Sequence, residues 1–270
     1  MKLLNLGCGN RFHKEWINVD FHSSDSNVIE YNLRTGIPFE NETFDVVYHS
    51  HVIEHFSKEE GPIFIRECYR VLRPQGILRI AFPDLEQIAL NYIRLLNELK
   101  NNNLEYINDY DWIMLELFDQ TIRNFSGGEM AEYFFRESIP NKGFIIKRIG
   151  VEGNKLIEFG SNHYKDKMKE KRKEKISVLK RFNREYFIQK LLGNEYKALQ
   201  IGRFRLGGEI HQWMYDSYSL SQLLNSIGFR DITERDAFSS FILNWGKYNL
   251  DTEPDGSIYK PDSGYIEAKK

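Results

Sequence analysis

The chain lacks most of the features that fix a protein's class outright. Cys8 and Cys68 are its only cysteines and they form no Cys-x-x-Cys pair. That usage fits a reducing cytoplasm and excludes a disulfide-stapled secreted scaffold. No stretch approaches 18 uninterrupted apolar residues, and the N-terminus runs straight into a strand, so neither a membrane span nor a signal peptide is expected. Charge of either sign is not in excess: the net value of −2 gives no global pull towards nucleic acid or acidic membranes. Internal repeats are absent too. What remains is 270 residues, 41% hydrophobic and 14% aromatic, enough to bury a core in one large domain or one domain with a sizeable insertion.

Short apolar runs alternate with turn signals over the first 90 residues. LLNL (3–6), WINVD (16–20), FDVVYHS (44–50) and GILRIAF (76–82) read as strands, and IFIRECYRVL (63–72) as a helix between the last two. Strands alternating with helices imply right-handed crossovers and a parallel sheet. Long helical stretches such as LEQIALNYIRLLNELK (85–100) follow, then irregular aromatic-rich segments and a basic run at 165–184. In that run acids interleave with Lys165 to Lys175 at i,i+4 spacing, which favours a solvated helix over a nucleic-acid patch. From Asp216 the earlier rhythm returns: YSLSQLLNSI is an amphipathic helix, Gly228 a C-terminal stop, and FRDITE and SSFIL two closing strands. Residues 246–270 are polar and read as a loosely held tail.

The chemistry starts at Gly7-Cys8-Gly9, a glycine turn directly after the first strand, where backbone can approach a ligand that a Cβ would exclude. Asp20, closing the second strand, can accept hydrogen bonds from a ribose diol. A dinucleotide is disfavoured. Phe12 stands where the third glycine of G-x-G-x-x-G belongs, and the 11 positions from Gly9 to Asp20 fall short of a full crossover unit. No G-K-[ST] follows to cradle a triphosphate. A ligand with a ribose and no phosphate fits best.

Residues 51–55, HVIEH, match the bare inverted zinc-peptidase pattern H-x-x-E-H, and His49 lies just upstream. A zinc site needs a third protein ligand, and none stands at a diagnostic spacing. The stretch also follows a sheet strand, so no metal is expected.

LLNLGCGN, INVD, GIPFENETFDVVYHSHVIEHF and ECYRVLRPQGILRIAFPD, in that order, together with GGEIHQWMYDSYSLSQLLNSIGF near the end, resemble the motifs of class I S-adenosylmethionine-dependent methyltransferases. The likeness is strongest to the small-molecule, type 11-like group often found in surface-polysaccharide gene clusters. It implies a Rossmann-like α/β fold: a mostly parallel seven-stranded sheet with helices on both faces. The core would comprise 1–84 and 211–245, and a large, mainly helical insertion at 85–210, between the fifth strand and the last helix, would cap the substrate. It also places Ser50 to His55 at the family's small-x-x-x-Glu-His position, which makes the zinc pattern an accident.

By the same resemblance Gly7, Cys8, Gly9 and Asn10 line the methionine end of S-adenosylmethionine, whose product is S-adenosylhomocysteine. Asp20 holds the ribose, Phe21 lies beside the adenine, and Asn32-Leu33 occupies the place of the acid that bonds the adenine amino group. His49 and Ser50 face the sulfonium. The shortened segment after Gly9 implies a first helix of about one turn. His55 is the first candidate base, His51 the second, and Asp84 and His211 could orient or replace it. Asp84 is equally a helix N-cap, and His55 equally a packing residue. Aromatics such as Tyr133, Phe134, Phe135 and Trp213 would line the capped pocket. The expected function is cytoplasmic methylation of a small polar acceptor, a sugar or nucleotide-sugar of capsular or surface glycan biosynthesis, on a hydroxyl or a uronic carboxylate. An RNA methyltransferase and a non-catalytic partner protein of the same fold remain open, as does the oligomeric state; nucleic acid is not the favoured partner and no membrane insertion is expected.

Overall fold

A computed structural model describes residues 1–23, 25–170 and 184–270. Its sheet has seven strands: β1 (Leu3–Leu6), β2 (Ile17–Asp20), β3 (Val28–Glu30), β4 (Phe44–Ser50), β5 (Leu72–Pro83), β6 (Arg230–Arg235) and β7 (Ser263–Lys269), ordered β3-β2-β1-β4-β5-β7-β6. The first five pair in parallel, and β7 runs antiparallel to both β5 and β6. This is a Rossmann-like arrangement with one antiparallel part. The strand order reverses at β1 and β4, so a crevice opens beyond their carboxyl ends, the usual ligand position of such sheets.

The period-2 alternation of the central strands sends Leu4, Leu6, Val47, Leu78 and Ile80 to one face. There they pack with Phe64, Ile65, Cys68 and Val71 of α1 (Glu60–Val71) and Leu220 and Leu224 of α8 (Ser217–Ile227). Asp216 caps α8 through a capping box with Ser219, and Gly228 ends it in the left-handed conformation at φ 112°.

The other face differs from expectation. Leu3, Val46 and Tyr48 are covered there by Trp16, Ile242, Trp245, Tyr248 and Leu250, an aromatic cluster with a single short 3-10 turn at Trp245–Tyr248. No helical turn forms between β1 and β2, because too few residues separate the strands for a helix to lie on that face.

SSFIL is not a strand either. Phe241 N donates to Glu267 Oε2 at 2.7 Å and the Ser239 carbonyl accepts from Arg79, so this backbone is used by buried charges and not by a ladder. The last strand comes instead from the tail: Ser263 to Ala268 are all buried between β5 and β6.

Between β5 and α8 run α2 (Leu85–Lys100), α3 (Ile107–Ile122), α4 (Gly128–Phe134), α5 (Lys142–Glu170, kinked at Gly150), α6 (Arg184–Leu192) and α7 (Glu195–Leu206). They contain their own apolar cluster of Trp112, Met130, Tyr133, Phe134, Ile145, Ile149 and Ile157. The basic run at 165–184 lies for the most part outside the described residues. Among the described residues, no helix is long and apolar enough to cross a membrane.

Candidate active site

The turn after β1 is shaped by two constraints. Gly7 sits at φ +62°, and a Cβ there would meet Val52 Cγ2 at 2.3 Å, so only glycine fits. Gly9 N donates to Asp20 Oδ2 at 2.7 Å, which ties the turn to the end of β2. The cleft beyond this turn has a volume of about 440 Å³ and is lined by Gly7, Asp20, Phe21, Asn32 and Leu33. These five expected residues therefore come together. Asn32 Oδ1 accepts from Arg34 N at 3.1 Å, capping the 3-10 turn Leu33–Thr35 and leaving one lone pair free. Gly9 and Asn10 are exposed on the turn beside the cleft. Cys8 points inward, and burial, with the nearby Asp20 charge, pushes its thiol up to about 12, which leaves no thiolate at neutral pH.

His49 is a correction. It was expected to face the sulfonium, yet it is fully buried against Phe64 of α1, with ring centroids 5.1 Å apart. It lines neither cleft, and the next residue, Ser50, does not either. Among the described residues neither ring nitrogen of His49 has a hydrogen-bond partner, and burial pushes its pKa down from 6.5 to about 3. The folded protein holds His49 neutral, so its contribution is intact above pH 6.5 and is lost as pH falls towards 3. His49→Phe should therefore flatten the acid limb of thermal stability, removing about 1.4 kcal/mol per pH unit of slope in that window. Unfolding midpoints measured from pH 7 to 4 that run parallel for both proteins would refute this.

A second cleft of about 450 Å³ lies across His51 and His55, which line both. Its wall includes Glu54, Gln120, Arg123, Phe134, Phe135, His211, Lys260 and Asp262. His51 has φ +54°, a strained value for a side-chain-bearing residue, held by its N–H on the Ala81 carbonyl and its Nε2 at 2.8 Å from Ser263 Oγ. His55 Nδ1 lies 3.1 Å from the Ile210 carbonyl, and its ring meets that of His211 edge-on at 4.9 Å. Glu54 is 1% exposed, with Oε1 3.4 Å from His51 Nδ1 and 3.9 Å from His211 Nε2. Burial works to raise its carboxyl, but the imidazoles around it, His51 first, outweigh that and hold it below the usual carboxylate range. Burial pushes His211 down to about 3, against the pull of Glu54.

Asp84 is not part of this cluster. Its carboxylate accepts from Glu86 N and Gln87 N and serves as the N-cap of α2. Of the four aromatics expected in the pocket, Phe134 and Phe135 line it. Tyr133 is buried against Trp112 within the helical layer, and Trp213 lies at the surface under Lys58. Sequence reasoning gave Glu54 no role of its own, although HVIEH contained it. It also missed Ser263, Lys260 and Asp262, which sit in a stretch whose polarity hid its strand. Leu206 to Glu209, at and just after the end of α7, close the cofactor side; Gly207 to Glu209 open the motif GGEIHQWMYDSYSLSQLLNSIGF, which gave them no role of their own.

Residues 4–80 match the family described as a methyltransferase domain. Among solved structures, a SAM dependent methyltransferase from Archaeoglobus fulgidus is similar over 100% of this chain and 86% of its own, at 13% identity and a TM-score of 0.38. A SAM-dependent methyltransferase from Thermotoga maritima, described as a possible histamine N-methyltransferase, is similar over 100% and 82%, at 14% identity and a TM-score of 0.39. A protein from Pyrococcus horikoshii is similar over 36% of this chain and 54% of its own, at 27% identity and a TM-score of 0.28. No curated protein matches the chain. The glycine turn that admits no Cβ, the strand-end carboxylate and a cleft within the range of small-molecule sites suit S-adenosylmethionine. Residues 4–80 thus match a methyltransferase domain, for which S-adenosylmethionine is the cofactor.

Proposed function

We propose that the protein methylates a small polar acceptor held in the second cleft, on a hydroxyl or a carboxylate oxygen. The observation that carries this reading is the shared wall: His51 and His55 border both clefts, so a donor in one and an acceptor in the other meet at these two rings. When bound, S-adenosylmethionine supplies a methyl already activated on a sulfonium. The protein's work is to hold the partners and manage one proton.

Asp20 binds the ribose, Phe21 lies against the adenine, Asn32-Leu33 reads its amino group, and Gly7 to Asn10 receive the methionine end. Facing a carbonyl acceptor at Ile210, His55 Nδ1 carries the ring proton, which leaves Nε2 with a lone pair for the acceptor's proton. Helices α2 to α7 act as a cap whose Phe134 and Phe135 exclude water. Arg123 and Lys260 beside Gln120 and Asp262 suit a polyhydroxylated or anionic acceptor, and a sugar or nucleotide-sugar combines both. The surface-glycan setting and a cytoplasmic location rest on the resemblance of motif order and on cysteine usage.

Calorimetric titration with S-adenosylmethionine and, separately, NAD tests the first half; binding of NAD alone would overturn it. Sugar nucleotides screened for methyl transfer test the second. His55→Asn should slow transfer by about 10²-fold, the lower end for a lost base, because His51 stands beside it. An unchanged rate would remove His55 from proton transfer.

A further inference from the structure

HVIEH was set aside as a metal motif for want of a third ligand, and the fold brings one in from the far end of the chain. Glu54, His55 and His211 each offer a ligand atom, and these atoms lie within 4.8 Å of one another. The cluster is more than a crowd of polar groups. Glu54 is 1% exposed and His211 8%, and among the described residues neither Glu54 oxygen nor His211 Nδ1 has a hydrogen-bond partner. His51 Nδ1 and His211 Nε2, at 3.4 and 3.9 Å from Glu54 Oε1, stand beyond ordinary hydrogen-bond length. A buried, unbonded carboxylate is costly unless a charge is placed against it.

His55 supplies an independent sign. Its Nδ1 lies 3.1 Å from the Ile210 carbonyl, which orients the ring and, with the proton on Nδ1, leaves Nε2 a lone pair. Metal-bound histidines are typically held this way, with the second nitrogen donating to a carbonyl. His51 has its Nε2 on Ser263 Oγ and its Nδ1 3.4 Å from Glu54 Oε1, but it does not belong to the group whose ligand atoms all lie within 4.8 Å of one another. The pair of imidazoles used is therefore His55 and His211, and not the His51 and His55 that the sequence pattern suggests.

We propose that Glu54, His55 and His211 bind one divalent first-row transition-metal ion, zinc or a close neighbour, with an open position facing the acceptor cleft. Two imidazoles and one carboxylate form a donor set that suits such ions, and three protein ligands leave a fourth place for water or an acceptor oxygen. All three residues line that cleft. An acceptor oxygen seated there would give up its proton more readily, and the metal would take from His55 the lone pair otherwise used as base. The binding site stands independently of the methyl-transfer reading.

The test uses the full-length, tag-free protein, stripped by chelator and titrated with Zn²⁺ and with Co²⁺ alone. One equivalent should bind, with visible Co²⁺ bands of a low-coordinate site. Glu54→Gln and His211→Ala should each weaken binding by more than about 100-fold, since losing even a group that only orients a metal ligand costs about 10–100-fold. His51→Ala should retain it. Circular dichroism and S-adenosylmethionine affinity, measured without metal, show that each variant is folded. Absence of stoichiometric binding to the wild type overturns the proposal, as does equal binding by folded Glu54→Gln and His211→Ala. Loss in His51→Ala with retention in His211→Ala overturns it as well. Failure to bind S-adenosylmethionine would count against the methyl-transfer reading and leave the metal site untouched.

Discussion

Asp20→Ala should weaken S-adenosylmethionine binding by about 10²–10⁴-fold. The carboxylate ends β2 at the mouth of the cofactor cleft, with Oδ2 accepting from Gly9 N at 2.7 Å and Oδ1 from His22 N at 3.3 Å. A carboxylate has about four acceptor positions, so two remain for a ribose diol. Two charge-assisted bonds at roughly 1.5–3 kcal/mol each give about 3–6 kcal/mol, and each 1.4 kcal/mol is tenfold. The variant also frees Gly9 from its tether, which adds disorder to the turn and acts in the same direction. Asp20→Asn keeps one acceptor and should fall between. Calorimetry reads the effect, and an Asp20→Ala affinity within about threefold of wild type would sink the ribose role.

Asp20 was visible in the sequence because its signal is local: an acid closing a short apolar run that follows a glycine turn. The same holds for β4, found at FDVVYHS, and for α2, found at 85–100 with Asp84 before it as cap. Each carries its own periodicity and its own stop. His49 went wrong for a reason internal to strands. Successive side chains point to opposite faces, and nothing in FDVVYHS says which parity faces α1.

The active-site cluster was half legible. His51, Glu54 and His55 are neighbours in the chain. That His211 packs on His55 depends on the Gln212 and Trp213 amides reaching the Glu54 carbonyl, contacts between segments far apart in sequence. The last strand was the least legible of all. SGYIEAK places Glu267 at a fully buried position, which breaks the apolar alternation a strand is recognised by. Its partner, Arg79, sits in GILRIAF, where it looks like an ordinary polar interruption. A buried ion pair disguises both of its strands.

That ion pair leads to the largest effect expected. Arg79 is fully buried; its guanidinium reaches Asp251 at 2.7 Å and Glu267 at 2.9 Å and donates to the Asp236 and Ser239 carbonyls. Tyr48 OH donates to Asp251, and Ser240 Oγ to Glu267. Arg79→Leu would strand the Asp251 carboxylate against the sheet and leave Glu267 with Arg235 as its remaining cation. Breaking a buried pair costs about 3–5 kcal/mol; here Asp251 loses its guanidinium outright, while Glu267 keeps Arg235 at 3.2 Å. Against a total stability of about 5–15 kcal/mol, the variant should unfold about 6–20 °C lower, at roughly 2–4 °C per kcal/mol for a chain of this size, or fail to fold. Adding Asp251→Asn and Glu267→Gln should recover part of the loss, since the stranded charges are then gone. A single variant melting within about 3 °C of wild type would refute the argument. Function is tied to the same contacts. Glu267 anchors β7, β7 begins at Ser263, and Ser263 holds the ring of His51 at the junction of the two clefts. Variants that weaken the ion pair without unfolding the chain should therefore slow methyl transfer before they impair cofactor binding.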